Sequence, residues 1–325
     1  MPSTALVTGC SSGIGYETAQ TLLADGWDVY ATARDRDRDG LENLADRGAE
    51  PVALDLTEPA DIERVVARVH DEAGGVDCLV NNAGYGQFGP VEDVPTDVLE
   101  RQFAVHCFGP HRLIRAVVPD MRERGRGRII NVTSAADRLA LAGIGSYNAS
   151  KWALAGLSDA LRQELVGSDV EVVVVQPGLV ATPFYDRALR ELDAAATAAR
   201  SPSSTDEDVT IGAADADVTV VRPTQYTDLY RVLQQVRAVE GGGRLVNDPE
   251  DVAETILTAA TVPDPETHYR VGPLPLLGSL YGTLVPATLR DQLTKLGIRL
   301  AASEPVLELL ERQTPEAGTE PYPRR

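Results

Sequence analysis

Lysine is almost missing from this chain: Lys151 and Lys295 are its only two lysines, and arginine carries the rest of the positive charge. Acids outnumber bases so far that the formal net charge is −19. That balance argues against binding nucleic acid or anionic membrane, both of which select basic patches. Aromatic residues are scarce, with 4 Phe and 2 Trp in 325 residues. Acid excess, few lysines and few large aromatics fit a cytosol at very high salt, where self-repulsion is screened over roughly 3 Å at 1 M. They also fit an acidic proteome drawn from a GC-rich bacterial genome. Only three cysteines occur, Cys10, Cys78 and Cys107, with no CxxC and no metal-ligand spacing. An odd count points to reduced thiols in a cytoplasmic setting. No targeting segment fits the start, where Met-Pro-Ser-Thr runs straight into an apolar strand. No apolar run reaches the roughly 20 residues of a spanning helix. The most apolar late stretch, Val271 to Pro286, is broken by prolines and glycines and leaves peripheral membrane contact open.

What is present is an alternation of short apolar runs and helical patterns. The runs are Thr4 to Thr8, Asp28 to Ala33, Val52 to Leu54, Cys78 to Val80, Arg128 to Val132, Val170 to Val175 and His268 to Val271. Between them, helical spacing covers Ile14 to Ala24, Pro59 to Glu72, Val98 to Arg124 and Tyr147 to Leu165. Such alternation predicts an α/β fold: a Rossmann-type, doubly wound parallel sheet of about seven strands, with helices on both faces. Val-Glu-Val-Val-Val-Val, residues 170–175, is too continuous for a half-exposed strand and reads as a central strand covered on both faces. Residues 1–272 are expected to form one catalytic domain, with a C-terminal helical extension over 273–325 made of a Pro/Gly-rich apolar piece and one helical stretch. Helices are expected over Ala188 to Arg200 and Thr224 to Val239. The polar stretch Ser201 to Val218 reads as a mobile loop. Asn247-Asp-Pro-Glu-Asp-Val reads as a capped helix start.

Ligands bind such sheets at the C-terminal strand ends, and the informative residues fall there. Thr8-Gly9-x-x-x-Gly13-x-Gly15 closes the first strand. Gly9 permits a tight turn, Gly13 lets backbone approach phosphate, and Gly15 brings the helix close to the sheet. The spacing is not GxGxxG, so a plain tight turn is the competing reading. Arg34 ends the second strand, where a basic residue suits a 2′-phosphate. Asp35, Asp37 and Asp39 alternate with Arg36 and Arg38, so a solvated charged loop is the alternative. Ser11 or Ser12 adds a hydroxyl, and NADP(H) is preferred over NAD(H). Asp55 is placed to meet an adenine amino group. Asn81-Asn82-Ala83-Gly84 ends strand four, with Asn81 suited to locking neighbouring strands and Gly84 leaving room for a ribose.

Tyr147 and Lys151 are i and i+4, on one helix face. An ammonium about 4 Å from the phenol contributes roughly 4 kcal/mol at an effective dielectric of 20. That is about three pKa units, which predicts a phenol near 7 able to give or take a proton. Ser134, at the end of strand five, is placed to polarise a carbonyl oxygen. After strand six, Pro177 and Gly178 turn the chain over a nicotinamide, and Thr182 is placed to hold its carboxamide. A surface Tyr and Lys pair is the bland alternative, weakened by Ser134 and the glycine turn.

Together these motifs resemble the short-chain dehydrogenase/reductase family over about residues 4 to 184. Gly-Cys-Ser-Ser-Gly, Tyr-Ala-Thr-Ala-Arg and Asn-Ala-Gly-Tyr-Gly are similar to its 17β-hydroxysteroid and retinol dehydrogenase branch. The resemblance implies Tyr147 as acid/base, Lys151 as its pKa partner and ribose ligand, and Ser134 as the substrate-orienting hydroxyl. It places Asn82, Ala83 and Gly84 along the adenosine and ribose, with Ile14, Leu56 and Val180 among the cofactor contacts. It implies a homodimer or homotetramer. One position departs from the family: His106 stands where an Asn holds a relay water beside the lysine. A neutral imidazole is able to hold that water and a protonated one would repel Lys151; a tolerated packing change is the other reading. The expectation is a cytoplasmic NADP(H)-dependent oxidoreductase that interconverts a carbonyl and an alcohol on a small apolar molecule. The substrate is expected under a lid of about Thr182 to Val246, lined by Phe88, Phe184 and Tyr185. A cofactor-binding sensor with little turnover is the alternative, favoured only by His106.

Overall fold

The computed structural model describes residues 3–35, 39–198, 206–213, 216–235 and 245–303. Seven parallel strands form one sheet. They are β1 (Thr4–Thr8), β2 (Asp28–Ala33), β3 (Glu50–Ala53), β4 (Cys78–Asn81), β5 (Gly127–Val132), β6 (Val170–Pro177) and β11 (His268–Val271). Their order is β11-β6-β5-β4-β1-β2-β3. The chain steps outward from β1 to β3, returns to the middle, and steps outward again. The reversal leaves a switch point between β1 and β4, where ligands bind in open sheets. The strand β6 is second from one edge rather than central, because β11 pairs outside it in register, His268 against Val174 through Val271 against Pro177. Both of its faces are covered, as its continuous valines predict: Val173 and Val175 lie in one core layer, Val170 and Val172 in the other.

Strand alternation sorts the core into two layers. On one face Ala5, Val7, Val29, Ala31, Val80, Ile130 and Val173 pack with α1 (Gly13–Ala24), α2 (Asp39–Asp46) and α9 (Pro249–Thr261). On the other, Leu6, Tyr30, Leu79, Ile129 and Val172 pack with α3 (Pro59–Ala73) and α5 (Gly109–Arg124). Helix α9 starts on a reciprocal cap between Asp248 and Asp251 with a proline in its first turn, as its sequence predicts.

The expected single helix over Val98 to Arg124 is broken. Helix α4 (Thr96–Phe103) passes through a π-helical turn, Ala104–Phe108, before α5 begins. Pro110 has no N–H to give to the carbonyl four residues back, and the Gly109 N–H bonds to the Ala104 carbonyl, five back. A side chain at Gly109 would meet Leu56 Cβ at 2.7 Å, so the wide turn also brings the helix against the β3 end.

Two more expectations are corrected. Asp206 to Val218, read as part of a mobile loop, contributes to an antiparallel hairpin of β8 (Asp206–Ala213) and β9 (Ala216–Pro223). The acidic count hid β-branched positions: Val209 pairs with Val220 and Ile211 with Val218. Residues 201–205, 214 and 215 of that stretch lie outside the described residues. The C-terminal piece, read as one helical stretch after an irregular run, makes two helices, α10 (Leu274–Leu284) and α11 (Ala287–Ala301). Pro275 sits in the first turn of α10, where its missing N–H costs nothing. Short pairing of β7 (Leu179–Val180) with β10 (Val246–Asn247) ties the segment after β6 to the start of α9. Helices α7 (Phe184–Ala198) and α8 (Thr227–Gln234) form a smaller cluster through Leu189, Leu192, Leu229 and Leu233, with Ile298 of α11 against it.

A buried polar line crosses the second half of the sheet. Asn81 Nδ2 donates to Asn131 Oδ1 at 2.8 Å, and Asn131 Nδ2 donates to Ser158 Oγ at 2.8 Å. Asn131→Ala leaves donors and acceptors unpaired in a dry layer, so urea denaturation should show a loss of about 2–3 kcal/mol.

Candidate active site

At the switch point the strand ends are bolted together. Thr8 Oγ1 accepts from the N–H groups of Asn82 (2.9 Å) and Ala83 (3.0 Å) and donates to the Val80 carbonyl (3.2 Å). Asn82 Nδ2 returns a bond to the Thr8 carbonyl at 2.9 Å. Between them runs the glycine turn. Gly9 has φ 80° and Gly13 has φ 58°, the left-handed region that glycine enters freely. A side chain on Gly9 would lie 2.8 Å from Ala83 Cα, and one on Gly15 would collide with the Gly9 carbonyl and Asn82 Nδ2. Ser12 precedes α1 without a side-chain cap bond, so the N–H groups of the first turn are offered to whatever lies before them.

What lies before them is a cleft of about 1270 Å³. That exceeds the volume usual for one drug-sized ligand. Of the residues picked out from the sequence, Gly9, Ser11, Ser12, Gly13, Ile14, Arg34, Asp55, Leu56, Asn82, Ala83 and Gly84 line its cofactor-like arm. Ser134, Tyr147, Lys151, Pro177, Gly178, Val180 and Thr182 line its middle. Gly15 and His106 do not line it; they lie behind it. The uncapped helix start and the glycine cradle fit a pyrophosphate, and exposed Arg34 stands at the end of β2 beside the arm. Asp55 Oδ1 accepts from the Thr57 N–H and hydroxyl, at 2.9 and 2.7 Å, which fixes its carboxylate at the rim. Arg36 and Asp37 of the charged loop, with Arg38, lie outside the described residues.

Tyr147 and Lys151 stand one turn apart on α6 (Gly145–Glu164), both buried. Lys151 Nζ donates to the Val132 carbonyl at 2.9 Å and lies 5.9 Å from the Tyr147 ring centre. Burial pushes the phenol up to about 12, against a downward pull from its hydrogen bond with Ser134. Burial likewise pushes the Lys151 ammonium down to about 8, while Asp137 draws it upward. The expected phenol near 7 is therefore not what the protein by itself sets. Desolvation of a phenolate is the largest influence on Tyr147, and the lysine is held by a strand carbonyl instead of the phenol oxygen. At neutral pH the pair is a neutral phenol beside an ammonium.

Two supporting groups escaped the sequence reading. Asp137 is buried behind Ser134, accepting from Thr133 Oγ1 at 2.6 Å and from Gln176 Nε2 at 2.7 and 2.9 Å. Burial raises its carboxyl above the usual range. Asn148 donates to the carbonyls of Ala136 and Leu139, both at 2.7 Å, and accepts from the Leu141 N–H at 3.1 Å. It staples the loop after Ser134 to α6. Neither residue carries a motif; only their nearness to Ser134 and Tyr147 in the chain offered a signal.

His106 sits on the π-helical turn, behind the Tyr147 ring at 5.7 Å between centres and edge-on to it. Its Nε2 accepts from the Tyr85 N–H at 3.0 Å, so the proton is on Nδ1, which donates to Ser150 Oγ at 2.9 Å. Ser150 in turn donates to the Tyr147 carbonyl at 2.8 Å. Both ring nitrogens are thus engaged by protein groups. In place of the expected holder of a relay water, that geometry makes a clamp between the loop after β4 and α6. Burial, then the charges of Lys151 and Arg187, hold the imidazole well below its ordinary range, so it stays neutral.

The rest of the cleft mixes aromatic side chains with charged ones, among them Asp97, Glu100, Arg190 and Glu191. Phe184 meets Tyr147 edge-on at 5.5 Å and Phe88 at 6.4 Å. Tyr185 of α7 and Leu274, Leu277 and Tyr281 of α10 line the same cleft, with Leu274 close to Gly178. The sequence did not point to these three α10 residues, nor to Arg101 and Arg187, which flank the Tyr85 ring and both pair with Glu191. The lid expected over 182–246 is described only in part; residues 199–205, 214–215 and 236–244 lie outside the described residues. The cysteines take no part: all three are buried, and burial pushes Cys10 and Cys78 up to about 12.

Comparison with known proteins agrees with this geometry. The family described as short chain dehydrogenase matches residues 3–192. The uncharacterized oxidoreductase YbbO of Escherichia coli is 38% identical over 189 residues, 57% of this chain and 69% of that protein. Mouse 17-beta-hydroxysteroid dehydrogenase type 1 is 33% identical over 276 residues, 82% of this chain and 73% of its own. A short-chain dehydrogenase from Streptomyces avermitilis superposes with a TM-score of 0.69 at 30% identity, covering 94% of this chain and 99% of that one.

The depressed His106 predicts a pH signature. The unfolded chain takes up this proton near pH 6.5 and the folded protein does not, so stability falls as pH drops below that value. His106→Asn removes this share of the slope. Urea midpoints measured between pH 7.5 and about 5 should fall less steeply in the variant than in the parent.

Proposed function

We propose, since the chain belongs to the short-chain dehydrogenase family and is an oxidoreductase of that type, that it is an NADPH-preferring carbonyl reductase acting on a small apolar molecule. The observation that carries this reading is the convergence of Ser134, Tyr147 and Lys151 on one cleft, lined by a glycine turn and by aromatic side chains. A bound nicotinamide supplies the hydride that goes to the carbonyl carbon. The chain's own residues handle the oxygen. Ser134 donates a hydrogen bond to it, and the Tyr147 hydroxyl delivers the proton that completes the alcohol. A phenol held protonated by burial is matched to that direction, giving a proton rather than taking one. The Lys151 ammonium, close behind, stabilises the phenolate left after transfer. Pro177, Gly178, Val180 and Thr182 hold the nicotinamide end, and Gly9 to Ile14 hold the pyrophosphate. Arg34, exposed at the end of β2, supports the 2′-phosphate and hence NADPH over NADH.

His106 acts in this reading as a positioning residue that keeps α6 and the Tyr85 loop in register. The sensor alternative rested on His106 alone and loses its support. Residues 1–272 act as the catalytic domain, with α7 and α8 as the described parts of its substrate lid. The acidic composition supports work in a cytoplasm at molar salt. Exposed Phe108, Trp152 and Leu157, on the π-turn and α6, support a homodimer or homotetramer built on those faces.

Tyr147→Phe should keep the fold and NADPH affinity while lowering kcat by roughly 10²- to 10⁴-fold on a ketone panel. Unchanged turnover would remove Tyr147 from the chemistry. Arg34→Asp should lower the NADPH-to-NADH ratio of kcat/KM by roughly 10- to 100-fold, as loss of a charged hydrogen bond to phosphate implies. An unchanged ratio would place cofactor choice elsewhere.

A further inference from the structure

Fifteen large hydrophobic residues are exposed among the described residues, and eight of them lie within 25 positions of one another, on α10 and α11. On α10 they are Leu276, Leu277, Leu280 and Leu284, between 47% and 74% exposed. On α11 they are Leu289, Leu293, Leu296 and Leu300, between 44% and 58% exposed. The α11 set is spaced 4, 3 and 4, which aligns it in one row along the helix. The opposite side of α11 packs on the body, with Ile298 against the α7–α8 cluster. The leucines are therefore not a displaced core face; the helix is already docked and turns a second apolar row outward. Isolated exposed leucines need no explanation, whereas four in one row along a helix make an apolar strip, the kind of feature that marks a binding surface.

Local charge says what the surface meets. The chain as a whole is strongly acidic, yet α10 carries no charged residue and α11 carries Arg290, Lys295 and Arg299 against the single acid Asp291. Lys295 and Arg299, four apart, form an exposed row beside Leu296 and Leu300. One of the chain's two lysines is spent here. Leucines flanked by a basic row on an in-plane helix are the pattern of an interfacial helix on an anionic bilayer. No described helix is long and apolar enough to cross a membrane, so contact is along the surface.

We infer that α10 and α11 form a docking surface for a lipid bilayer containing anionic lipid. The surface is continuous with the cleft. Leu277 is 54% exposed and also lines the cleft, beside Leu274 and Tyr281. An apolar substrate can pass from the bilayer along α10 to Tyr147 without crossing water; this last step, unlike docking itself, rests on the reductase reading above.

The test is co-sedimentation of the full chain with vesicles of phosphatidylcholine and phosphatidylglycerol in equal parts, and with phosphatidylcholine alone. It runs at a salt concentration where circular dichroism shows the protein folded. Docking predicts that the protein pellets with the mixed vesicles, less with phosphatidylcholine alone, and that Leu293→Glu with Leu296→Glu cuts binding at least tenfold. Those leucines lie off the cleft, so the variant's circular dichroism and its NADPH affinity should stay at parental values. A parent that stays in the supernatant with both vesicles overturns the inference. So does equal binding to both vesicles, which would remove the anionic assignment. A parent that ignores vesicles but halves its mass by light scattering in the variant would show that a second copy of this chain covers the surface instead. Binding is read without turnover, so loss of the reductase reading leaves the result intact, and the reverse holds.

Discussion

The hydroxyl of Thr8 is the point on which the two halves of the sheet meet. It holds the end of β4 to the end of β1 through two backbone N–H groups, and Asn82 answers with a bond to the Thr8 carbonyl. The two strands pair in parallel register up to Val7 and Val80, and the chain leaves them in opposite directions across the sheet. Pinned together, they leave space above the glycine turn and fix where β5 and β6 end. Ser134, at the end of β5, and Pro177, at the end of β6, are placed by the same sheet register. The cleft is thus a consequence of topology, with side chains deciding what it can do.

What it can do depends on burial more than on charge pairing. Tyr147 and Lys151 are each pushed toward their neutral forms by desolvation, the phenol upward and the ammonium downward. The pair stays at neutral pH in a form suited to donating a proton. Behind it lie two devices that fix geometry. The His106–Ser150 chain holds the helix backbone at Tyr147 to the loop after β4. The Thr133–Asp137–Gln176 group holds the turn that carries Ser134. The π-helical turn is what brings His106 within reach of both Tyr85 and Ser150, an instance of a locally widened helix serving a site. These supports are buried and polar, so each member is costly to remove and the set is rigid.

The sheet was legible because strand patterns, glycines and helix faces are local features that repeat along the chain. Seven strands, the four main helices between them, and the line of residues at the strand ends could all be read from spacing. The cap of α9 was legible for the same reason. The supports were not. Asp137, Asn148 and Gln176 matter through partners up to 39 positions away in the chain, and no local pattern marks them. The break at Ala104 to Phe108 follows from Pro110, a signal that was present but outweighed by helical periodicity on both sides. The phenol's acidity was misjudged because spacing gives an i,i+4 pair without saying where the lysine nitrogen bonds; the Val132 carbonyl takes it. The α10 helix was hidden by prolines that sit harmlessly in its first turn. Its leucines were visible in the sequence, but only the fold shows that they face outward.

The claim at the centre of this account is that burial, and not the lysine, sets the resting state of Tyr147. The direct measurement is the titration of the Tyr147 ring by carbon NMR of tyrosine labelled at Cζ, with Tyr147→Phe used to assign the resonance. The account predicts no ionisation of this phenol up to pH 10, in line with a value pushed up to about 12. A midpoint near 7 in the protein alone would contradict it and restore the lysine as the dominant influence.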